Sequence, residues 1–365
     1  DSGCATTSTP TIGFTVCDSI SGLQIDSIRF FYTYGSDTIF LTSTTAGIVR
    51  IPDADTHCVD ISFTPTDIPS ETTVTVCVTY AIDNVDASCS PNVADTTCWS
   101  FIVDYTAPDV EFITPPSSIY VSCDTPTVCF VVNDMNGFLT SPCESLVVWI
   151  ESAAYNACDP NVSITGDTVC IRDAYNSPYV SGTEVNVSIV HLCDTLGNSI
   201  GTTTITDTFY MDTQGPWAAS LDPPDSSFIM PPSPVSAPIC SVLVNDDYAG
   251  ISLDYVTVRM SINGGPDSVL RYPDDLSFSS GWLIVHSDLS DAGYLDTVCF
   301  TLDTLFDNSD VCPPNNIDPP FNWCYIIDNE PPEAILVQPE DSSTWACGLG
   351  EGWICIDFID IDDIN

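Results

Sequence analysis

Hydrophobic and polar residues alternate with a period of two along many short runs of this chain. Examples are Ser27–Tyr32, Ser145–Ile150 and Tyr255–Met260, which are rich in Val, Ile, Thr, Tyr and Phe. Such alternation is typical of β-strands that bury one face. The 28 prolines and 19 glycines separate these runs, and no apolar stripe with helical spacing has a useful length. The pattern therefore predicts an all-β chain of many short strands.

A link made of an aspartate and a following proline recurs along the chain. A strand ends at Asp104, at Asp212 and at Asp328, and a proline follows within four residues each time. Repetition at this spacing predicts a series of similar domains. The predicted segments are residues 1–104, 105–212, 213–328 and 329–365.

After each link come a short apolar stretch, a break rich in proline and serine, and a β-branched strand that ends in an acidic turn. These turns lie at Asn133–Gly137 and Asn245–Gly250, and Cys17–Gly22 is similar. About seven short strands per segment are typical of an immunoglobulin-like sandwich. The chain resembles the tandem Ig-like domains of bacterial and archaeal extracellular surface proteins, which often open with an Asp-x-x-x-Pro link and carry an Asp-x-x-x-Gly turn. The resemblance covers essentially the whole chain and implies tandem, disulfide-rich Ig-like β-sandwiches.

The repeat does not begin and end at the ends of the sequence. Segment 1–104 starts directly at its first cysteine-bearing strand, so we expect it to lack the opening link and the first strand. Segment 329–365 contains that opening and a second strand. Residues 333–339 are therefore expected to belong to a partial fourth domain or to act as a donor strand for a sheet edge of another copy.

The charge balance excludes several classes of partner. The sequence has 51 acidic residues, five arginines and no lysine, which gives a formal net charge of −46. Nucleic acid is excluded because phosphate contacts need clustered basic residues, and an anionic membrane surface is disfavoured for the same reason. No run of 18 apolar residues occurs, so no membrane span is expected.

No catalytic motif is present. The sequence lacks a Gly-x-Ser-x-Gly elbow, a P-loop and a His-Glu-x-x-His motif. Its three histidines, His57, His191 and His286, are far apart along the chain. We therefore expect a protein that is not an enzyme.

The 18 cysteines include no Cys-x-x-Cys pair, so a disulfide framework is favoured over zinc sites. Disulfides form in oxidising compartments, which predicts an extracellular or cell-surface location.

The positions of the cysteines relative to the acidic turns predict their pairing. In an Ig sandwich the second and sixth strands face each other across the core. For each cysteine we count how many positions it lies before a reference residue in the turn that follows its strand, with Asp247 and Gly197 among the reference residues. This number is odd for the cysteines of the second strand and even for those of the sixth strand, so the cysteines of each set share one face of their strand. This predicts Cys129–Cys193 and Cys240–Cys299, and by extension Cys17–Cys77. The remaining pairs are suggested by which of the other cysteines occur together in each predicted segment. They are Cys4–Cys58, Cys123–Cys170, Cys89–Cys98, Cys312–Cys324 and Cys143–Cys158. Cys347 and Cys355 are left without an assigned partner.

Calcium is the expected cofactor. In an Ig sandwich the loops after strands two and six lie beside the incoming link, and calcium prefers six to eight oxygen ligands. Three acidic sets are expected to form at the links, and they are Asp104 with Asp134 and Asp194; Asp212 with Asp246, Asp247 and Asp307; and Asp328 with Asp360, Asp362 and Asp363. The alternative is that aspartate is frequent there only because it favours turns.

Two sequons, beginning at Asn161 and Asn186, fit the N-glycosylation pattern.

The main functional hypothesis is a structural subunit of an extracellular filament, in which copies of the chain join head to tail. The alternative is a segment of a long tandem-Ig adhesin or stalk that binds a protein or a glycan.

Overall fold

The computed structural model describes residues 4–54, 57–85, 90–231, 237–331, 333–338 and 355–359. Within these ranges the chain is all-β, as predicted, and its helical elements are two short 3₁₀ turns, Ile25–Ser27 and Cys143–Ser145. None of the helices in these ranges has the length and apolarity needed to cross a bilayer.

The chain forms two compact units. The first contains residues 1–117, 125–177 and 185–208, and the second contains residues 118–124, 178–184 and 209–365. The strands themselves group into three sandwiches and one further pair of strands.

The first sandwich has two sheets with the strand orders β1-β8-β7-β3-β4 and β2-β6-β5. Its strands are β1 (Cys4–Ala5), β2 (Ile12–Cys17), β3 (Arg29–Tyr34), β4 (Asp37–Thr42), β5 (Val49–Pro52), β6 (Cys58–Phe63), β7 (Thr72–Tyr80) and β8 (Thr97–Val103).

The second sandwich has the strand orders β10-β17-β16-β12-β13 and β14-β15-β11-β9. Its strands are β9 (Asp109–Thr114), β10 (Tyr120–Val121), β11 (Thr127–Asn133), β12 (Leu146–Ile150), β13 (Ala153–Asn156), β14 (Val162–Thr165), β15 (Thr168–Arg172), β16 (Glu184–Leu192) and β17 (Ile205–Met211).

The third sandwich repeats the second, with the orders β19-β26-β25-β21-β22 and β18-β20-β24-β23. Its strands are β18 (Trp217–Asp222), β19 (Phe228–Ile229), β20 (Pro238–Asn245), β21 (Ile251–Ile262), β22 (Ser268–Arg271), β23 (Leu276–Ser279), β24 (Trp282–His286), β25 (Thr297–Asp307) and β26 (Phe321–Ile327). A separate antiparallel pair is formed by β27 (Glu333–Gln338) and β28 (Cys355–Ile359).

This recurring strand order is that of immunoglobulin-like sandwiches, so the predicted fold class is confirmed. In each sandwich a short strand pairs in parallel with the last strand, as β1 does with β8, β10 with β17 and β19 with β26. The predicted domain borders fall between the sheets, whereas the two compact units divide the chain differently. The four-domain division therefore stays a prediction.

The alternating pattern buries one face of each sheet against its partner sheet. In the first sandwich Phe30 and Val76 of one sheet share a core with Ile61 and Phe63 of the other, and the rings of Phe30 and Phe63 are 5.2 Å apart. The third sandwich has a separate core that includes the fully enclosed Trp323. Burial of such side chains is the main stabilising contribution to the fold.

The first strand of the first sandwich differs from the expectation. The sandwich does contain the short parallel strand β1, which had not been foreseen. Among the described residues, however, nothing pairs with the free edge of β2 in the way that β9 pairs with β11 and β18 with β20.

Most predicted disulfide pairings are wrong. Among the described residues there are six disulfides, which are Cys17–Cys58, Cys77–Cys98, Cys123–Cys312, Cys129–Cys170, Cys143–Cys158 and Cys299–Cys324. Only Cys143–Cys158 is a pairing expected from the sequence. The pairings that the structure contradicts are Cys129–Cys193, Cys240–Cys299, Cys17–Cys77, Cys4–Cys58, Cys123–Cys170, Cys89–Cys98 and Cys312–Cys324. Cys89 and Cys347 lie outside the described residues.

The physical reason is the direction in which the cysteines point. Val128, Phe130 and Val132 of β11 are buried in the core, so Cys129 between them points outward and cannot reach the opposite sheet about 10 Å away. It bonds instead to Cys170, directly opposite on β15, with 4.1 Å between the two Cα atoms. The pairs Cys17–Cys58, Cys77–Cys98 and Cys299–Cys324 likewise join directly opposed residues of adjacent strands.

For Cys240 and Cys193 the reference residues of the predicted parity were wrong as well. The residue that follows β20 as Asp134 follows β11 is Asp246, not Asp247. Counted from Asp246, Cys240 has the other parity, and it points into the core with 3% of its surface exposed. For Cys193 the correct reference residue is the adjacent Asp194, not Gly197. Counted from Asp194, the offset of Cys193 is odd instead of even, which assigns it to the other face of its strand. Among the described residues Cys193 and Cys240 belong to no disulfide.

Candidate metal centres at the links

Three carboxylates meet where the first sandwich leads into the second. Asp104 follows β8, Asp134 follows β11, and Asp194 comes two residues after the end of β16. One oxygen from each carboxylate lies within 4.8 Å of the others. Asp104 and Asp194 are fully buried. This set is called the first aspartate cluster below.

The carboxylate of Asp104 is held by donors from three directions. One oxygen accepts hydrogen bonds from the Ser70 hydroxyl at 3.0 Å and from the backbone N–H of Thr106 at 3.2 Å. The other accepts from the side-chain amide of Asn136 at 2.6 Å. Burial acts to raise the pKa of Asp104, but the hydrogen bonds from Asn136, Thr106 and Ser70 outweigh it, so its pKa is lowered and the charged form is favoured.

Asp134 is the least satisfied member of this cluster. Its Oδ1 accepts a hydrogen bond from the backbone N–H of Asn136 at 2.7 Å, whereas its buried Oδ2 has no partner among the described residues. Burial, followed by the charges of Asp104, Asp194 and Glu71, raises the pKa of Asp134 to about 6. The carboxylate is therefore placed where a positive charge would stabilise it.

The same arrangement recurs where the second sandwich leads into the third. Asp212 follows β17, Asp246 follows β20 and Asp307 ends β25, and one oxygen from each lies within 4.8 Å of the others. Asp212 and Asp307 are buried. Asp212 accepts a hydrogen bond from the backbone N–H of Ala249 at 2.9 Å. Burial, with added repulsion from Asp212 and Asp307, raises the pKa of Asp246. This set is the second aspartate cluster.

A glycine closes the turn that carries Asp246. Oδ1 of Asp246 accepts hydrogen bonds from the backbone N–H groups of Tyr248 and Gly250, at 3.0 and 2.8 Å. Gly250 has a φ of +77°, which is strained for residues with a side chain. The Asp-x-x-x-Gly pattern seen in the sequence is thus the device that turns the carboxylate towards its neighbours.

One asparagine bridges each cluster, and the sequence analysis missed both. The side-chain amide of Asn198 donates to the Asp194 carboxylate at 2.6 Å and to the backbone carbonyl of Asp104 at 3.2 Å. Asn315 repeats both contacts, with Asp307 at 2.6 Å and with the carbonyl of Asp212 at 2.8 Å. The aspartate and its asparagine are four positions apart in one case and eight in the other, so no fixed spacing marked them.

The first sandwich carries two residues in the corresponding places. Asp18 follows β2, and its Oδ1 accepts from the backbone N–H groups of Ser21 and Gly22. Asp83 is 5% exposed and accepts from the side-chain amide of Asn92. The pairing of an aspartate with an asparagine therefore recurs in all three sandwiches.

Not every expected residue joins a cluster. Asp247 is exposed, and its carboxylate accepts a long hydrogen bond of 3.4 Å from the Trp217 ring N–H instead. Asp328 is partly exposed and accepts from the backbone N–H of Glu330. The remaining expected ligands, Asp360, Asp362 and Asp363, lie outside the described residues.

The clusters have no basic partner among the described residues. The ion pairs there join Arg50 to Asp26 and Arg259 to Asp267 and Asp303, and none involves a cluster aspartate. Two carboxylates whose oxygens are no more than 4.8 Å apart repel by at least about 3 kcal/mol at an effective dielectric constant of about 20. Burying such charges without compensation is costly.

The donor set fits a hard divalent cation. Carboxylate oxygens converge in both clusters, and the buried Oδ2 of Asp134 supplies a ligand that none of the described protein groups uses. Beside the first cluster, a cavity of about 560 Å³ is lined by further carboxylates, those of Glu71, Asp109 and Asp167. Carboxylate oxygens are the ligands that Ca²⁺ binds, six to eight at a time.

The two sequons differ in exposure. Asn186 lies exposed on β16, where its side chain donates to Glu151 and accepts from Thr208. Asn161 is half-buried directly before β14. N-glycosylation at either residue stays a prediction.

No protein-family model matches the chain, and no curated protein sequence matches it. Among solved structures it is similar to a chimeric titin Z1Z2 tandem, with 12% identity, 57% of this chain and 93% of that chain covered, and a TM-score of 0.18. The N-terminal Ig1-2 module of the Drosophila receptor protein tyrosine phosphatase DLAR matches with 9% identity, coverage of 60% and 97%, and a TM-score of 0.20.

A crystal structure of an S-layer protein matches with 10% identity and a TM-score of 0.26, and the match covers 92% of this chain but 55% of that one. These scores carry no argument about function. The tandem Ig-like fold rests on the strand order and on the paired sheets of the chain itself.

Proposed function

We propose that this chain is a non-catalytic structural part of an extracellular fibre or stalk, of the kind found on bacterial and archaeal surfaces, whose links are fixed by calcium. The observation that carries the proposal is the recurrence of one carboxylate arrangement at two successive links. Asp104 and Asp212 come from the links themselves, and the other members come from turns of the sandwich that follows. If aspartate served only to form turns, the same three carboxylates would not be expected to meet at both links.

Calcium would act here by holding each link against the sandwich that follows it. The first aspartate cluster would hold the ion with Asp104, Asp134 and Asp194, and the second with Asp212, Asp246 and Asp307. The bound cation would offset the repulsion between the carboxylates and tie the link to two turns at once. A link fixed in this way resists bending and local opening, which suits a load-carrying surface protein.

The disulfides and the charge support an extracellular structural role. Six disulfides staple strands or loops together in the described residues, and such bonds persist in oxidising surroundings. The net charge of −46 keeps surfaces solvated and concentrates cations near the chain.

The pairing of β27 bears on whether this strand is donated to another copy of the chain. β27 pairs antiparallel with β28, as β9 pairs with β11 and β18 with β20. One edge of β27 is therefore already paired in this state. This supports β27 and β28 as the equivalents of β9 and β11 over strand donation between copies.

The test of the cation proposal uses two neighbouring aspartates. Protein freed of metal by a chelator is titrated with calcium in a calorimeter, and its thermal unfolding is followed with and without calcium. We expect saturable binding and a higher melting temperature. Asp246→Asn should weaken binding at the second cluster, whereas the exposed neighbour Asp247→Asn should leave it unchanged.

Two results would overturn the proposal. One is the absence of both binding heat and a shift in melting temperature on addition of calcium. The other is equal binding by the Asp246→Asn and Asp247→Asn variants. End-to-end association is tested separately, by sedimentation of the full chain at rising concentration and by intact mass before and after reduction.

A further inference from the structure

The third sandwich contains a groove that belongs to neither aspartate cluster. Its volume is about 690 Å³, and its walls include Tyr255, Tyr272, Phe306, Pro313 and Pro314. These residues come from separate strands and a loop, so no single run of the sequence brings them together. A mainly apolar groove with a few polar groups is the usual form of a ligand site.

A β-bulge creates one wall of the groove. Ser252 of β21 lies opposite Phe306, but the next paired residue, Thr257, lies opposite Thr304, so four residues of β21 face a single residue of β25. Bulges redirect side chains, often beside functional sites. Here Tyr255 is 74% exposed while the adjacent Val256 is 2% exposed. The Thr304 hydroxyl donates to the Tyr255 carbonyl at 2.7 Å and fixes the bulge.

The opposite wall is a fixed loop. Pro313 and Pro314 are exposed, and they directly follow Cys312, which is bonded to Cys123. On their other side, the backbone carbonyl of Asn315 accepts from the Asp307 N–H at 3.0 Å. A loop held at both ends loses little conformational freedom when a ligand binds, which favours affinity.

One arginine in the groove is not committed to any partner. Arg271 ends β22 and is exposed, and within the described parts of the chain its guanidinium makes no ion pair or hydrogen bond. Arg50 and Arg259 both have carboxylate partners. In a chain with 51 acidic residues and five arginines, a free guanidinium beside aromatic rings is available to a carboxylate supplied by a ligand. Arginine binds carboxylates through two parallel hydrogen bonds.

We propose that this groove binds an acidic saccharide, a short glycan in which one sugar ring carries a carboxylate. The exposed ring of Tyr255 offers an apolar face to the C–H face of a sugar. Arg271 pairs with the sugar carboxylate, and the carboxylate of Asp254, which also lines the groove, accepts hydrogen bonds from sugar hydroxyls. The site does not depend on the cation proposal.

The overall negative charge does not prevent this binding. Charges more than a Debye length away, about 8 Å at physiological ionic strength, are largely screened. Contact is therefore governed by the nearby charges, which include those of Arg271 and Asp254 in the groove and that of Asp275, whose carboxylate accepts from the Arg271 backbone N–H at 3.0 Å.

The test is a calorimetric titration of the full chain with two disaccharides of the same linkage. One ends in glucuronic acid and the other in glucose. We expect the acidic disaccharide to bind more tightly. Arg271→Gln and Tyr255→Ala should each weaken its binding by about tenfold or more. Arg172→Gln, at an exposed arginine of the second sandwich, should change nothing.

Several outcomes overturn the proposal. They are no binding of the acidic disaccharide, equal binding of the neutral one, and affinity unchanged by Arg271→Gln. Binding of a proline-rich peptide in place of the saccharide would assign the groove to a protein partner instead. Circular dichroism of the variants checks folding, and Tyr255 is exposed enough for its removal to leave the core intact.

Discussion

The side-chain amide of Asn315 donates a hydrogen bond of 2.6 Å to the buried carboxylate of Asp307. The same nitrogen donates over 2.8 Å to the backbone carbonyl of Asp212, in the link that precedes the third sandwich. One side chain therefore joins a loop, a strand end and a link, and Asn198 makes the same two kinds of contact one sandwich earlier.

Replacing this asparagine should lower stability even without calcium. Asn315→Ala leaves a buried carboxylate oxygen and a backbone carbonyl without their donor, which we expect to cost about 1–3 kcal/mol of unfolding free energy. Urea denaturation in chelator measures the change. Asn84→Ala is the control, because Asn84 is exposed and its side chain makes no hydrogen bond within the described residues. Equal stability of the two variants would contradict the bridging role.

The metal-free protein should become less stable as the pH rises from about 4 to about 6. The pKa of Asp134 is about 6 in the folded chain, whereas an unfolded aspartate titrates near 3.9. Between these values the folded state binds more protons than the unfolded state, so the unfolding free energy falls with rising pH and levels off above about 6. Asp246 contributes in the same direction, because its pKa is also raised.

The pH effect is measured as a difference between two proteins. Urea denaturation of the wild type and of Asp134→Asn is followed across this pH range after removal of metal. The variant should lack the part of the slope due to Asp134, because its amide does not titrate. Parallel curves for the two proteins would show that Asp134 titrates normally. Calcium should flatten the slope of the wild type, because a bound cation offsets the carboxylate charge.

Cys193 and Cys240, which belong to no disulfide among the described residues, should differ in reactivity. Cys193 is partly exposed, whereas Cys240 is 3% exposed and its burial raises the pKa of the thiol to about 11. Because the thiolate is the reactive form, iodoacetamide at pH 8 should label Cys193 in the folded protein and Cys240 only after unfolding. Mass spectrometry of the labelled peptides gives both rates. Finding Cys193 linked to Cys129 would restore the pairing expected from the sequence and refute the observed one.

The sequence by itself determined the strands and placed the residues of the two aspartate clusters at the links, although it also assigned Asp247 to the second. Alternation at Ser145–Ile150 and Tyr255–Met260 marks strands, because a strand presents alternate residues to opposite faces. The clusters followed from the repeat, since Asp104, Asp134 and Asp194 hold fixed places relative to a link and two turns. A repeated local pattern is enough to place such residues when the topology of the fold is known.

Only the tertiary structure decided which face each cysteine uses and which distant residues meet. A difference of one residue between Asp246 and Asp247 reverses the face assigned to Cys240, so parity could not fix the pairing. Asn198 and Asn315 lie at different distances from their aspartates, and the groove gathers Tyr255, Arg271 and Pro313 from parts of the chain that are far apart in sequence. Such contacts depend on how loops and bulges fold back onto the sheets, and local pattern carries no information about that.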